Sequence, residues 1–347
     1  MSDSSTDPFA PSLADVGGPR QPLITAQSLT CHFPVRAGTF ARRKVVRAVD
    51  GIDFTIRKGE TLGVVGESGC GKSTTARLLV GLVPLSGGRI LYDGQELGAD
   101  LSLRRLRRGV QMVFQDSFAS LNPRLTIEET IAFGPKVNGV PRAEALAIAR
   151  DLLERIGLDP ARFATRYPHE LSGGQRQRVN IGRALAMRPR LLILDEAVSA
   201  LDKSVEAQVL NLLDDLRRDF DLTYMFISHD LNVVRYVSDR LMVMYLGEVV
   251  EVGPAEALYD VQAHPYTAAL FAAMPSMDPD ARTLVPPLAG DPPNPIDPPS
   301  GCRFHTRCPH ASDVCAMRKP RVVTLGQGHQ VACHLHDPGS GHPQAAA

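Results

Sequence analysis

Apolar residues recur along this chain with two different periods, and the switches between them divide it. From Pro22 to about Val65 the pattern is strand-like: Leu23-Ile24-Thr25, Val45-Val46-Arg47-Ala48-Val49 and Ile52-Asp53-Phe54-Thr55-Ile56 precede the turn Lys58-Gly59-Glu60. The run Leu62-Gly63-Val64-Val65 reads as a buried strand that feeds glycines and then a helix from Lys72 to Val80. From about 101 to 188 the chain reads as mostly helical. Thr126-Ile127-Glu128-Glu129 has capping-box spacing. Arg142 to Ile156 sets Leu146, Ala149, Leu153 and Ile156 on one face, and Gly157 stops it. Buried strands return at Leu191 to Leu194 and Leu222 to Ile227. Between them, Ser204 to Arg218 carries Val205, Val209, Leu212, Leu213 and Leu216 at helical spacing. Leu241-Met242-Val243-Met244 and Glu248-Val249-Val250 read as a hairpin around Gly247. Strands alternating with helices predict an α/β fold with a largely parallel sheet, and the helical block predicts an inserted subdomain.

Past Val252 the pattern dissolves. Prolines at 275, 279, 286, 287, 292, 293, 295, 298 and 299 favour an extended, semi-rigid tether ahead of a cysteine cluster. Residues 1–21 are polar and Pro/Gly-rich and read as a disordered leader without a signal peptide; residues after about 337 read as a frayed tail. A composition of 44% hydrophobic and 22% charged residues over 347 positions is that of an ordinary globular protein. The formal net charge of zero gives no global pull toward nucleic acid or an anionic membrane. No uncharged apolar run reaches the roughly 18 residues of a spanning helix. These features predict a cytosolic chain, one that would serve a membrane only by docking to the helices of others.

Chemistry enters at Gly66-Glu67-Ser68-Gly69-Cys70-Gly71-Lys72-Ser73, which fits G-x-x-x-x-G-K-[ST] between a strand and a helix. Successive N–H groups there can curl around a β-phosphate, with Lys72 reaching the β- and γ-phosphates and Ser73 ligating Mg²⁺. Glu67, Ser68 and Cys70 are expected to contribute backbone more than side chain. Asp195, after Leu191-Leu192-Ile193-Leu194, can hold Mg²⁺ through water, and Glu196 can orient or deprotonate an attacking water. His229 and Gln115 each follow an apolar strand, positions from which they can meet a γ-phosphate, Mg²⁺ or water. Leu171-Ser172-Gly173-Gly174-Gln175 adds a second glycine pair at a helix start, where bare N–H groups can meet an anion.

These pieces, in this order, resemble the ATP-binding subunits of ABC transporters over about residues 22–255. The resemblance implies a P-loop NTPase with a RecA-like core, an antiparallel β subdomain and a helical subdomain at about 105–188. It makes Gly66 to Thr74 the Walker A loop, Gln115 the Q-loop, Leu171 to Gln175 the signature, Asp195-Glu196 the end of Walker B, Ser199 to Asp202 the D-loop, and His229 the switch histidine. Phe33 is the expected adenine-stacking aromatic, with Phe40 as substitute and a buried strand Phe as the plain alternative. Ala197 departs from the family's usual proline. Phe118 to Arg124, Tyr167 to Glu170, Ala207 to Leu212, Met244 to Gly247, His264-Pro265-Tyr266-Thr267 and Gly301 to His305 are similar to the oligopeptide/dipeptide importer branch, and His32 to Val35 to its second ATPase. The resemblance implies ATP and Mg²⁺ as cofactors and a head-to-tail dimer with a second ATPase subunit, identical or not. It also implies two membrane permeases, an extracytoplasmic binding protein acting indirectly, no nucleic acid, and a peripheral place on the cytoplasmic face of the inner membrane. Importers of nickel, glutathione or oligosaccharides share this branch; a DNA-repair or chromosome-organising ATPase is the reading from another class, against which no sustained heptad run appears.

Cys302, Cys308, Cys315 and Cys333 offer four soft ligands within residues 256–337, in spacings unlike common zinc sites. Four thiolates suit a [4Fe–4S] cluster, which the resemblance also implies; zinc, free or oxidised thiols, and mixed ligation with His305, His310, His334 or His336 are the alternatives.

Overall fold

The computed structural model describes residues 13–35, 44–274, 290–291 and 293–345; Phe40 and most of the expected tether lie outside them. The chain opens with β1 (Ile24–Val35) and β2 (Lys44–Ile56), an antiparallel pair. The two short runs seen in the sequence are one strand, β2, bent at Gly51, whose φ of 72° is accessible to glycine without strain. Then come β3 (Thr61–Val65), α1 (Lys72–Leu79), β4 (Gly87–Tyr92), β5 (Gln95–Glu96), α2 (Leu103–Gly109) and β6 (Val110–Val113). The helical block follows as α3 (Ile127–Val137), α4 (Arg142–Arg155), α5 (Pro160–Phe163) and α6 (Gly173–Leu185). The chain returns through β7 (Leu191–Asp195), α7 (Lys203–Phe220), β8 (Thr223–Ile227), α8 (Leu231–Val237), β9 (Arg240–Tyr245) and β10 (Glu248–Pro254). It ends with α9 (Ala255–Asp260), α10 (Pro265–Ala272), α11 (Asp313–Met317), β11 (Val322–Gly326) and β12 (His329–Ala332).

Two sheets result. The small one is antiparallel in the order β2-β1-β4-β5; the large one runs β11-β12-β10-β9-β3-β8-β7-β6 and is parallel from β9 to β6. Both faces of its parallel part are covered, which is why these strands read as unbroken apolar runs. Leu192 and Leu194 of β7 join the core beneath the helical block, whereas Leu191 and Ile193 join the core shared with the small sheet. Within the block, α3 packs on α4 and α6. The buried face of α4 is Ala145, Ile148, Ala149, Leu152 and Leu153; Leu146, expected there, sits only at its margin. Because β6 and α2 belong with the large sheet, the helical part begins later than residue 105.

Two expectations fail in the same direction. Residues 13–21 are not loose. Leu13 packs on the core, Asp15 pairs with Lys58 at 2.6 Å, and the Val16 amide donates to Asp93 at 2.7 Å. The end of the chain is not frayed either, since Ser340 and His342 are buried and bonded to His334 and His310. The cysteine-bearing extension is joined to the ATPase core as well: β12 pairs with β10, so the extension continues the large sheet. Buried Glu251 of β10 fastens this join, accepting the amides of Ala263 and His264 at 2.8 and 3.0 Å and pairing with His329 at 2.7 Å. Hydrogen-bonding every oxygen of a buried carboxylate is what makes its burial tolerable.

Candidate functional site

The carboxyl ends of β3, β7 and β8 meet at one cleft, as the crevice rule for parallel sheets requires. After β3 the loop turns through Gly66, Gly69 and Gly71, with φ of 147°, 77° and 111°. Two of these glycines are also sterically obligatory. A Cβ on Gly66 would lie 2.2 Å from the Met244 carbonyl oxygen, and one on Gly71 2.4 Å from that of Ala48. Lys72 is buried beneath the loop, its Nζ donating to the carbonyls of Gly66 and Glu67 at 2.7 and 3.0 Å.

The acidic wall arrives from β7. Ser73 Oγ donates to Asp195 Oδ1 at 2.9 Å, which brings the two expected Mg²⁺ ligands together. Burial pushes the Asp195 carboxyl above its ordinary pKa, and the Glu196 charge adds to this against the Ser73 bond and Arg77. A nearby cation reverses such a penalty. Glu196 follows with a φ of 50°, in the left-handed region. Its amide donates to Ile227 at 2.9 Å, and its carbonyl accepts from the Ser199 hydroxyl at 3.0 Å. Bonds to the next strand and the next turn thus hold a strained backbone that no proline at 197 supports. Gln115 Nε2 donates to Glu196 Oε2 at 2.8 Å, and His229 Nδ1 lies 3.5 Å from the same oxygen. Gln115, Glu196 and His229 line, with Ser68, Gly69, Gly71, Lys72, Ser73 and Thr74, an open cleft of about 430 Å³.

The remaining expected residues do not line that cleft. Ser172 caps α6 in a reciprocal box with Gln175, Oγ accepting the Gln175 amide at 3.3 Å and the Ser172 amide donating to Gln175 Oε1 at 2.9 Å. Ser172 is exposed, and Gly173 and Gly174 are half-buried on the helical block. Asp202 caps α7, accepting from Val205 N at 3.0 Å and Ser204 Oγ at 2.8 Å, and those bonds hold its carboxyl below the ordinary range. Phe33 is exposed on β1, so it is no core phenylalanine. Burial pushes the Cys70 thiol up in spite of Lys72, which fits an inert residue in a backbone-driven loop.

The loop also carries a side-chain contact directed away from the phosphates. The Glu67 side chain is not idle: its carboxylate takes both ends of the Arg307 guanidinium, at 2.7 and 3.1 Å, and its amide donates to Tyr266 Oη at 2.8 Å. Sequence reading missed Arg307 and Tyr266 as neighbours of this loop. Their only signal was a branch-typical His-Pro-Tyr-Thr run and a basic residue between two cysteines. The four clustered cysteines line a single small cavity with Phe304, His264 and His334. Burial pushes Cys302 up to about 12 and Cys333 up to about 11, and the neighbouring thiols add to both. Among the described residues no group of three His, Cys, Asp or Glu side chains is close enough to hold a metal ion.

A glycine loop between a parallel strand and a helix, an acid pair on the adjoining strand, and an inserted helical block together define an ATP-hydrolysing P-loop protein of the ATP-binding cassette class. Residues 49–199 match the family model described as ABC transporter, and residues 250–315 match that of the oligopeptide/dipeptide transporter C-terminal region. A probable peptide ABC transporter ATP-binding protein of Sinorhizobium fredii is 50% identical over 321 residues, 91% of this chain and 90% of its own. The oligopeptide transport ATP-binding protein AppF of Bacillus subtilis is 47% identical over 91% of this chain and 98% of its own. The di/tripeptide transport protein DppF of Pseudomonas aeruginosa is 47% identical over 90% and 97%. Among solved structures, cbiO1 of Clostridium perfringens, part of an ABC transporter complex, aligns with a TM-score of 0.60 at 27% identity over 72% of this chain and 96% of its own. The chain belongs to the ATP-binding proteins of ABC transporters, in the group that carries the oligopeptide/dipeptide C-terminal region. It is an ATPase.

Proposed function

We propose that this chain is the energy-coupling subunit of a peptide importer and works on the cytoplasmic face of the membrane through permease partners. The relatives named for peptide and di/tripeptide transport support the cargo class. Among the described residues no helix is long and apolar enough to cross a membrane, and in this reading the permease partners supply the passage. The observation that carries the mechanism is the split of the site: Walker A, Gln115, Glu196 and His229 share one cleft, while Ser172 to Gln175 stand apart on the helical block. One chain therefore offers half of a site, and a second ATPase subunit, facing it head to tail, offers the other half. Lys72 and the loop amides would hold the phosphates, Ser73, Asp195 and Gln115 the Mg²⁺, and Phe33 the adenine; the partner's copy of the signature segment would close over the γ-phosphate. Glu196, hydrogen-bonded to Gln115 and near His229, is the base that would take the proton of the attacking water. Asp202 belongs to the turn that would meet the partner. Closure on ATP and reopening on hydrolysis would reach the permeases through the helical block, whose groove beside Phe114 exposes Phe133.

The test is Glu196→Gln in the assembled transporter. ATP binding should persist while turnover falls by about a hundredfold or more; undiminished hydrolysis would remove Glu196 from this role.

We further propose that Cys302, Cys308, Cys315 and Cys333 hold a [4Fe–4S] cluster. Four thiols lining one small, largely apolar cavity supply the donor set, and their spacings along the chain are unlike those of common zinc sites. When bound, the cluster would neutralise thiolates that burial alone disfavours. Anaerobic purification should give a chain with iron and acid-labile sulfide in equal amounts, whereas stoichiometric zinc without sulfide would reject the cluster.

A further inference from the structure

We infer that the loop between Cys302 and Cys308 is a brace for the nucleotide cleft, with Arg307 and Tyr266 acting as positioning residues for the phosphate loop. The inference rests on the ATP-site reading above and adds to it a control point outside the cleft. Glu67 is held at three points. Its carbonyl accepts from Lys72 at 3.0 Å, its amide donates to Tyr266 at 2.8 Å, and its carboxylate is forked by Arg307 at 2.7 and 3.1 Å. Two of the three come from the C-terminal extension. The Arg307 side chain is 5% exposed, and Tyr266 is fully buried, so neither bond is a surface accident.

The same short loop also grips β2 and the turn between β9 and β10. Buried Arg303 donates to the Asp50 carboxylate and the Leu246 carbonyl and lies 3.3 Å from Glu248. The other Asp50 oxygen meets His32 Nε2 at 2.8 Å, and His32 precedes Phe33. Between the two arginines Phe304 stands edge-on to Tyr245, centroids 5.3 Å apart, and tilts against Tyr266 at 5.4 Å. Backbone bonds from Cys302 to Cys315 at 2.7 Å and from Arg307 to Phe304 at 2.9 Å make the loop itself compact. A rigid piece therefore reaches both the strand next to the expected adenine contact and the turn that carries the phosphates.

The physical effect follows from charge and order. Glu67 is an anion in a loop meant for a triphosphate, and Arg307 cancels it. Without the guanidinium, an unpaired carboxylate would repel the phosphates, and a loosened loop would have to be ordered at each binding event. Affinity should suffer more than chemistry, because Glu196, Gln115 and His229 are untouched.

Calorimetric titration of the full chain with Mg²⁺ and a non-hydrolysable ATP analogue tests this. Arg307→Ala should raise Kd about tenfold, with Arg307→Lys recovering part of the loss. In a Glu67→Gln background, where the charge to be cancelled is gone, Arg307→Ala should add little further loss. Steady-state assays should show a raised KM with kcat retained within about twofold. Tyr266→Phe keeps the buried ring and should cost about threefold in Kd, which gives a readout even where Arg307→Ala fails to fold. Wild-type Kd in both Arg307→Ala and Tyr266→Phe would overturn the brace, as would additive losses from Glu67→Gln and Arg307→Ala. Loss of binding in Lys72→Ala beside unchanged binding in the brace variants would leave the ATP site standing and remove the brace alone.

Discussion

Asp93 is 3% exposed, yet Lys58 Nζ lies 2.7 Å from one of its oxygens and Arg190 Nη1 2.8 Å from the other. Burial works to raise its pKa, but the bonds from Lys58, the Val16 amide and Arg190 outweigh it and hold the carboxyl well below the usual range. A depressed folded pKa means that the unfolded chain binds more protons in acid. The stabilisation is therefore present above the unfolded value of about 3.9 and is lost as pH falls through the folded one. Asp93→Asn should cost about 2 kcal/mol near neutral pH, and its gap from the wild type should close as melts are run below about pH 4. A gap that stays constant with pH would show that charge is not the source. None of this was legible beforehand, because Asp93, Lys58, Arg190 and Asp15 meet only after folding. Lys72, Ser73, Asp195 and Glu196 were legible for the opposite reason. Each stands at a strand end or helix start, where a local pattern fixes which way it faces.

At the scale of elements, local signals again fared best. The box at Thr126/Glu129 forms where three-residue spacing put it, and a second one, which the sequence reading did not anticipate, forms at Ser172/Gln175. Gly174 carried a less obvious requirement. A Cβ there would lie 2.4 Å from Val205 Cγ1, so this glycine lets α6 approach α7 as well as leaving its backbone bare. Gly174→Ala should overpack that contact by about 1–3 kcal/mol and lower ATPase activity with it. Because the added methyl points toward α7, the double variant Gly174→Ala/Val205→Ala should recover both melting midpoint and turnover in the assembled transporter. Recovery of stability without turnover would move the constraint to the phosphate side. The strands β11 and β12 were missed because they have almost no pattern to read: Val322 and Leu325 are exposed, and Val331 is the residue of β12 that reaches a core. Their place is set by pairing with β10, far away in the chain.

Across the whole molecule, the parallel sheet, the inserted block and the cleft followed from the order of apolar runs and glycines, whereas the attachment of both ends did not. Polar and proline-rich composition predicts loose termini, but here ion pairs at Asp93 and the hydrogen-bonded carboxylate of Glu251 secure them. The join at β10 has one more consequence. A strand of seven residues, four of them buried, would otherwise end the sheet and present an open ladder of amides and carbonyls to any extended chain nearby. Residues 322–332 move that margin outward to a five-residue strand that runs straight into Gly326, Gln327 and Gly328, all with positive φ. So short and sharply turned a margin is a poor template for a foreign strand, and the extension thereby also guards the ATPase against edge-to-edge aggregation.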